Sequence, residues 1–382
     1  AIVAHVDHGK STIVGRLLAD THSLPDGKLE QVKEECRRTS KPFEFAFLID
    51  ALKDEQAQGI TIDSARVFFK TTGRDYIIID APGHIEFLKN MVTGAARAEV
   101  AFLVIDAEEG IQENSKRHGY LLSMLGISQI CVLVNKMDLV EYDRTVYRRI
   151  VRRYRRFLRN LNITATSFIP VSGRDGTNIT ELSEYTPWYT GSTVVDQLDL
   201  FEKEPPRHEL PFRMPVQDVY KFTRYEDKRR IIAGTIDTGS VSVGDEVVFY
   251  PSGKKSRVKS IEAFNRPTIA REAAPATVGF TLEEQIYIKR GEVASKVREK
   301  KPVVAKEVRV SLFWLGKKEL DPNREYVFKL GTCRRSMRIA EVVRVINASN
   351  LRARRKQSVI RQHEVAECVL RLDSEIAFDP VD

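Results

Sequence analysis

In the first half of the chain, short apolar runs rich in β-branched residues are repeatedly followed by polar or glycine-rich residues and then by helical spacing. This is how βα units around a mostly parallel sheet read. The first run, residues 2–4, enters His5-Val6-Asp7-His8-Gly9-Lys10-Ser11-Thr12 and a helical stretch over 13–18. The second, 76–79, ends in Asp80-Ala81-Pro82-Gly83-His84, and a third covers 100–105. The fourth, 130–134, ends in Asn135-Lys136-Met137-Asp138, and a further run over 167–171 ends in Ser172-Gly173-Arg174. In such sheets ligands lie beyond the carboxyl ends of the strands, so these loops are expected to converge on one site. Runs 66–70 and 75–79 flank Thr71-Thr72-Gly73-Arg74, which predicts an antiparallel hairpin joined to the edge of that sheet.

The pattern changes after Trp188. Glu202-Lys203-Glu204-Pro205-Pro206-Arg207 is charged, proline-containing and without period, the marks of a linker. Beyond it, short strands over 231–236, 246–250, 254–261 and 285–288 are separated by turn residues, a barrel-like pattern. A second β cluster covers 308–315, 325–330, 339–346 and 364–372. The expected organisation is an α/β domain with a mixed, mostly parallel sheet over 1–204, a β-barrel over 205–299, and a second, incomplete β-barrel over 300–382. Residues are expected before Ala1, which reads as part of a strand, and closing strands are expected after Asp382.

Composition narrows the class. The 382 residues are 42% hydrophobic and 30% charged, which fits a globular chain of roughly two to three domains. No apolar run of about 18 residues occurs, which excludes a helical membrane span. Cys36, Cys131, Cys333 and Cys368 are far apart, without metal-site or disulfide spacing, and no leader is visible, so a cytoplasmic protein is expected. The net charge of +8 is matched by eight arginines, at 144, 148, 149, 152, 153, 155, 156 and 159. Between them Tyr147, Ile150, Val151, Tyr154, Phe157 and Leu158 recur at helical spacing, predicting an amphipathic helix with a cationic outer face. That face is read as solvated, with an acidic protein or RNA as the alternatives.

The chemistry lies in the strand-end loops. Ala4-x-x-x-x-Gly9-Lys10-Ser11, between a strand and a helix, is a phosphate-binding loop with alanine where glycine is commoner. Lys10 would bridge the outer phosphates, and Ser11 would place its hydroxyl on Mg²⁺, with Thr12 beside it. Asp7 stands where it could help hold a cation. His8 falls within the loop, although its side chain and that of His118 are expected at the surface. Asp80 could hold the Mg²⁺ shell through water, and Gly83 lets its own N–H approach a γ-phosphate. Asn135-Lys136-Met137-Asp138 supplies an acid, Asp138, that can accept two hydrogen bonds from guanine, a donor pair adenine lacks. Ser172 and Arg174 frame the base loop, with the Gly173 N–H directed at the guanine O6. GTP or GDP with Mg²⁺ is the expected ligand.

This constellation resembles the translational GTPase superfamily, and Gly59-Ile60-Thr61-Ile62-Asp63 matches its first switch segment. The resemblance makes Thr61 the residue that reaches Mg²⁺ and the γ-phosphate in the GTP state, and His84 the residue that orients the attacking water. The segments between the motifs are similar to the GTPase subunit of bacterial ATP sulfurylase. These are residues 52–63, Arg117-His118-Gly119-Tyr120, Pro187-Trp188-Tyr189, the stretch from Pro251 to Ile261, and the region from Glu283 to Glu292. His5-Val6-Asp7-His8-Gly9 is closer to the elongation-factor spelling. The resemblance implies a GTP-hydrolysing regulatory subunit of sulfate adenylyltransferase, paired with a separate catalytic subunit that makes adenosine 5′-phosphosulfate. The alternative is an elongation-type factor delivering aminoacyl-tRNA, with Lys254, Lys255 and Arg257 on RNA phosphates. A membrane partner is not expected, and nucleic acid only through the basic surfaces.

Overall fold

The computed structural model describes residues 1–5, 7–49, 66–71, 73–79, 95, 98–203, 205–221, 229–262, 269–346, 353–354, 359–362 and 364–380. Two compact units divide the chain, Ala1–Lys203 and Glu204–Ile346 together with Ala353–Asp382. In the first, β1 (Ile2–Ala4) leads into α1 (Lys10–Asp20) and α2 (Lys28–Arg38), and β2 (Arg66–Lys70) pairs with β3 (Asp75–Ile79). There follow β4 (Val100–Asp106), α3 (Glu113–Met124), β5 (Gln129–Asn135), α4 (Arg144–Arg159), β6 (Ser167–Pro170) and α5 (Val194–Leu200).

The central sheet has the order β1-β4-β5-β6 and is parallel throughout. Its strands are buried on both faces, which explains why they read as unbroken apolar runs. One face presents Phe102, Val104, Cys131, Leu133 and Ile169 to Ile13, Val14, Leu17 and Leu18 of α1 and to Val194 and Leu198 of α5. Ala101, Leu103, Ile130 and Val132, on the opposite face, are buried too. Asp106 and Asn135 are register partners at the carboxyl ends of β4 and β5, so parallel pairing itself sets two polar side chains next to each other.

The hairpin differs from expectation. Among the described residues β2 and β3 form their own two-stranded sheet, and no ladder joins them to β1. The apolar side chains of Phe69, Tyr76 and Ile78 instead meet Ile2, Leu17 and Phe102 around a narrow cleft of about 60 Å³. Side-chain packing holds the hairpin to the core there, helped by Asp199 of α5, which accepts from Tyr76 Oη at 2.6 Å and Thr71 Oγ1 at 2.9 Å.

In the second unit, β7 (Met214–Lys221), β8 (Arg230–Ile236), β9 (Ser240–Ser242), β10 (Glu246–Tyr250), β11 (Lys254–Glu262), β12 (Arg271–Ala273), β13 (Ala276–Leu282) and β14 (Val293–Lys296) come first. Six of them close into a barrel in the order β10-β11-β13-β8-β7-β14, filled by Phe212, Phe249, Phe280 and Ile261. The strand expected over residues 285–288 is not one: this segment is irregular, and β14 takes the ladder position. Ile286 and Ile288 alternate as in a strand because both pack onto the barrel core from a loop.

The rest of the unit contains β15 (Val303–Phe313), β16 (Tyr326–Leu330), β17 (Cys333–Ile346), β18 (Ala353–Arg354) and β19 (Val365–Phe378). They form an antiparallel sheet in the order β15-β19-β17-β16, with β18 on β17, whose path among the described residues is open. Arg213, buried beside the barrel, ties the two parts together. Its Nε and Nη2 donate to the two carboxylate oxygens of Asp379 at 2.8 and 2.9 Å, and its remaining donors reach Ser295 Oγ, Phe212 O and Lys300 O.

Candidate functional site

The loop after β1 turns sharply into α1. Asp7 has φ 61° and Gly9 φ 82°, both left-handed, so the chain reverses just before the helix. At Gly9 a side chain is excluded twice, by that φ and by Asn135, whose Nδ2 would lie 2.4 Å from a Cβ. No side chain caps α1, and its first turn carries no acidic residue. Among the described residues no side chain is bonded to the first backbone N–H groups of α1, which lie at the positive end of the helix dipole. An anion of phosphate type fits such a cradle.

Asn135 organises the site. Its Nδ2 donates to the His8 carbonyl at 2.8 Å, and its Oδ1 accepts from the Gly173 N–H at 3.0 Å. One buried side chain thus joins the loops after β1, β5 and β6. Gly173 approaches α1 so closely that a Cβ would lie 3.1 Å from Ile13 Cγ1 and 3.3 Å from the Ile13 nitrogen. The Gly173 N–H, expected on a base oxygen, is engaged by Asn135 in this structure, because the amide occupies the space between the two loops. Ser172 is buried and its Oγ accepts from Asp175 N, while Arg174 is exposed with its carbonyl held by Arg16 at 3.2 Å.

Lys136 has φ 59° and leads into a short 3₁₀ turn, Met137–Val140, so Asp138 follows a reversal and is partly exposed. Among the described residues nothing hydrogen-bonds the Asp138 carboxylate. The Lys136 ammonium lies 2.7 Å from Asp106 Oδ2, and Asp106 Oδ1 accepts from the backbone of Glu108 and Glu109. Asp106 is a part of the site that sequence reading missed. Its signal was present: an acid ending the third apolar run, at the register position of Asn135.

His8 and His118 are corrected from surface residues to buried ones, 0% and 1% exposed. His8 lies under the loop, its Nδ1 3.3 Å from the Val104 carbonyl and its Nε2 3.3 Å from Glu109. Burial lowers its pKa, with the Val104 carbonyl and the Asp106 and Glu109 carboxylates opposing and His5 assisting. His118 is on the inner face of α3, and its Nδ1 has no hydrogen-bond partner among the described residues. Burial, with Lys10, Arg117 and the other two histidines adding to it, pushes its imidazole down to about 3. A polar ring at helical spacing was read as outward-facing because burial without a partner leaves no trace in spacing.

His5, His8 and Glu109 are the group among the described residues whose ligating atoms lie close enough, within 4.8 Å, to surround a metal ion. Hydrogen bonds already orient it: Arg117 Nη1 donates to Asn114 Oδ1 at 2.6 Å, which fixes the amide so that its Nδ2 donates to His5 Nδ1 at 2.9 Å. This group does not include the oxygen ligands expected for Mg²⁺. Of those, Ser11 is at the start of α1 and partly exposed, whereas Thr61 and Asp80 lie outside the described residues, as do Gly83 and His84.

Among the described residues no helix is long and apolar enough to cross a membrane. The elongation factor Tu GTP binding domain family matches residues 1–195, and the GTP-eEF1A C-terminal domain-like family matches 307–382. The chain is 38% identical to sulfate adenylyltransferase subunit 1 of Chromobacterium violaceum over 98% of its own length and 78% of that protein. It is 36% identical to the protein of the same name from Aeromonas salmonicida, over 98% of its own length and 79% of the relative. The bifunctional enzyme NodQ of a Rhizobium strain is 38% identical over 98% of the chain, which spans 57% of NodQ. Among solved structures, sup35 complexed with GDP aligns over 98% of the chain with 20% identity and a TM-score of 0.42, so the assignment rests on the sequence families. The chain belongs to the elongation factor Tu-type GTP-binding family and, within it, to the sulfate adenylyltransferase subunit 1 proteins.

Proposed function

We propose that the chain is the GTP-hydrolysing regulatory subunit of a sulfate adenylyltransferase. In it GTP hydrolysis drives a partner subunit that joins ATP and sulfate into adenosine 5′-phosphosulfate and pyrophosphate. The observation that carries the nucleotide reading is the Asn135 junction, which gathers three strand-end loops at the uncapped start of α1. The choice of sulfate activation over tRNA delivery follows the curated relatives, which are 36–38% identical across 98% of the chain and span both units. The proposed domain limits are 1–204, 205–299 and 300–382, and the proposed location is the cytoplasm.

The roles follow from position and charge. Gly9 and the N–H groups of Lys10, Ser11 and Thr12 cradle the phosphates, and the Lys10 ammonium bridges the outer pair. Asp138 accepts from the guanine N1 and N2 donors, with Ser172, Gly173 and Arg174 shaping the base loop, while Lys136 and Asp106 hold that turn in place. Ser11, with Thr61 and Asp80, would hold a Mg²⁺ ion, which supplies positive charge to the phosphate oxygens. His84 orients the attacking water, and the loss of the γ-phosphate releases Thr61 and its segment. Hydrolysis can drive the partner only if its productive state binds the GTP form more tightly than the GDP form.

The test is reconstitution with the catalytic subunit. Adenylylsulfate formation should rise with GTP and stay basal with GDP. His84→Ala should keep GTP binding while slowing hydrolysis about 100-fold or more. Turnover unchanged by that substitution would remove His84 from the chemistry, and retention of charged tRNA without any effect on adenylylsulfate would favour the elongation-type alternative.

A further inference from the structure

All eight arginines of α4 are exposed. None forms an ion pair with a carboxylate among the described residues, although arginines elsewhere do so readily, as in Arg16 with Asp20, Arg344 with Glu367 and Arg371 with Glu307. The arrangement works against the helix. Arg148 and Arg152, Arg152 and Arg156, and Arg155 and Arg159 are like charges one turn apart, and the acid at the helix start, Asp143, is engaged as the N-cap by the Thr145 N–H at 2.5 Å. Stability comes from the other side, where Ile150, Tyr154 and Leu158 are buried and Tyr154 Oη donates to the Ser115 carbonyl at 2.6 Å. The helix is a rigid support for an unneutralised cationic ridge.

The ridge borders a groove of about 470 Å³, walled by Arg148, Arg152, Arg155, Arg156 and Arg159, with Tyr147 and Val151 completing the lining. From Arg148 to Arg159 the helix rises about 16 Å, and arginines four residues apart lie roughly 6 Å apart along its axis. We propose that this face docks an acidic segment of a partner protein, one presenting carboxylates at helical spacing. Carboxylates one turn apart on a facing helix repeat at the same interval, and the guanidinium fork takes a carboxylate through two parallel hydrogen bonds. The aliphatic arginine stems and Val151 add apolar surface that a helical partner can cover.

A single-stranded nucleic acid fits the face less well, because its binding draws on exposed aromatic rings for stacking. The aromatic side chains here are already engaged. Tyr147 Oη donates to the Phe168 carbonyl at 2.7 Å and its ring lies 5.1 Å from that of Trp188, while Phe157 stacks on Tyr154 at 5.4 Å. Arg155 itself lies over the Phe168 ring, at 5.1 Å, which leaves its fork edge for a ligand. The docking face is independent of the nucleotide reading, since it uses none of the strand-end loops.

The experiment uses the full chain and two fluorescent probes in about 0.1 M salt, a helical alanine peptide of about four turns with Glu at i, i+4 positions, and an oligouridylate of similar length. Anisotropy should show the peptide bound at least about tenfold more tightly than the oligouridylate. Replacing Arg148, Arg152, Arg156 and Arg159 by Gln should weaken the peptide by about tenfold or more, with helix content and thermal midpoint preserved because repulsion is relieved. The same change at Lys301, Lys306, Lys317 and Lys318, equal in charge and remote in sequence, should alter binding less than about twofold. Failure of the peptide to bind, equal or tighter binding of the oligouridylate, or equal weakening by the two sets of substitutions would each overturn the proposal.

Discussion

At the scale of single residues, the site depends on Asn135 more than on any other described side chain. Replacing it by Ala leaves the His8 carbonyl and the Gly173 N–H without their buried partner, which should cost roughly 2–4 kcal/mol and loosen the nucleotide site. Urea unfolding with and without GDP checks this, and a variant that keeps both midpoints contradicts the junction. His118 sets a pH dependence. In the unfolded chain its imidazole titrates near 6.5, whereas burial holds it at about 3 in the fold. Above 6.5 both states are neutral and full stability is present. As the pH falls from 6.5 towards 3 the unfolded chain takes up a proton that the folded chain refuses, so stability is lost at roughly 1.4 kcal/mol per pH unit. The lowered pKa of His8 acts in the same direction. Unfolding at pH 7.5 and 5.5 should differ less in His118→Gln than in the parent, and equal differences would exclude this source. The place of Lys10 and Ser11 at the start of α1, and of Asn135 and Asp138 at and just after the end of β5, was legible in the sequence because an apolar run ending in polar or glycine-rich residues marks a strand-end loop. His8, His118 and Asp106 were not, because their places depend on what lies across the sheet.

At the scale of elements, strands buried on both faces and the arginine-rich helix were legible, since their signal is continuous apolarity or a 3.6-residue period. Residues 285–288 show the limit. Alternating Ile286 and Ile288 meet the barrel core as a strand would, but the backbone beside them is irregular and β14 holds the ladder. The hairpin of β2 and β3 shows another: spacing identifies two strands and a turn, yet whether a ladder continues to β1 depends on backbone contact that side-chain pattern does not encode. Arg213 was likewise invisible as a buried clamp. Its bidentate bond to Asp379 is half exposed on the carboxylate side, while its bonds to Ser295, Phe212 and Lys300 are more sheltered. Arg213→Ala should therefore destabilise the second unit by roughly 2–3 kcal/mol. A midpoint within about 0.5 kcal/mol of the parent would show the clamp to be dispensable.

At the scale of the whole molecule, the division near residue 204 and the change from βα units to antiparallel sheets were legible from composition alone, because prolines and charges interrupt the apolar period there. The strand order of the last sheet, open among the described residues, follows from pairings between residues far apart in the chain, which no local pattern reports. Membership in the sulfate adenylyltransferase subunit 1 proteins gives the chain its setting, and its own residues give the reason a guanine nucleotide belongs in it. The most direct measurement is a calorimetric titration of the folded chain with GTP, GDP and ATP in the presence of Mg²⁺. The account predicts saturable binding of both guanine nucleotides at micromolar concentration or below, and ATP at least about 100-fold weaker because it lacks the N1 and N2 donor pair that Asp138 accepts. No heat from either guanine nucleotide, or ATP bound as tightly as GTP, would contradict it.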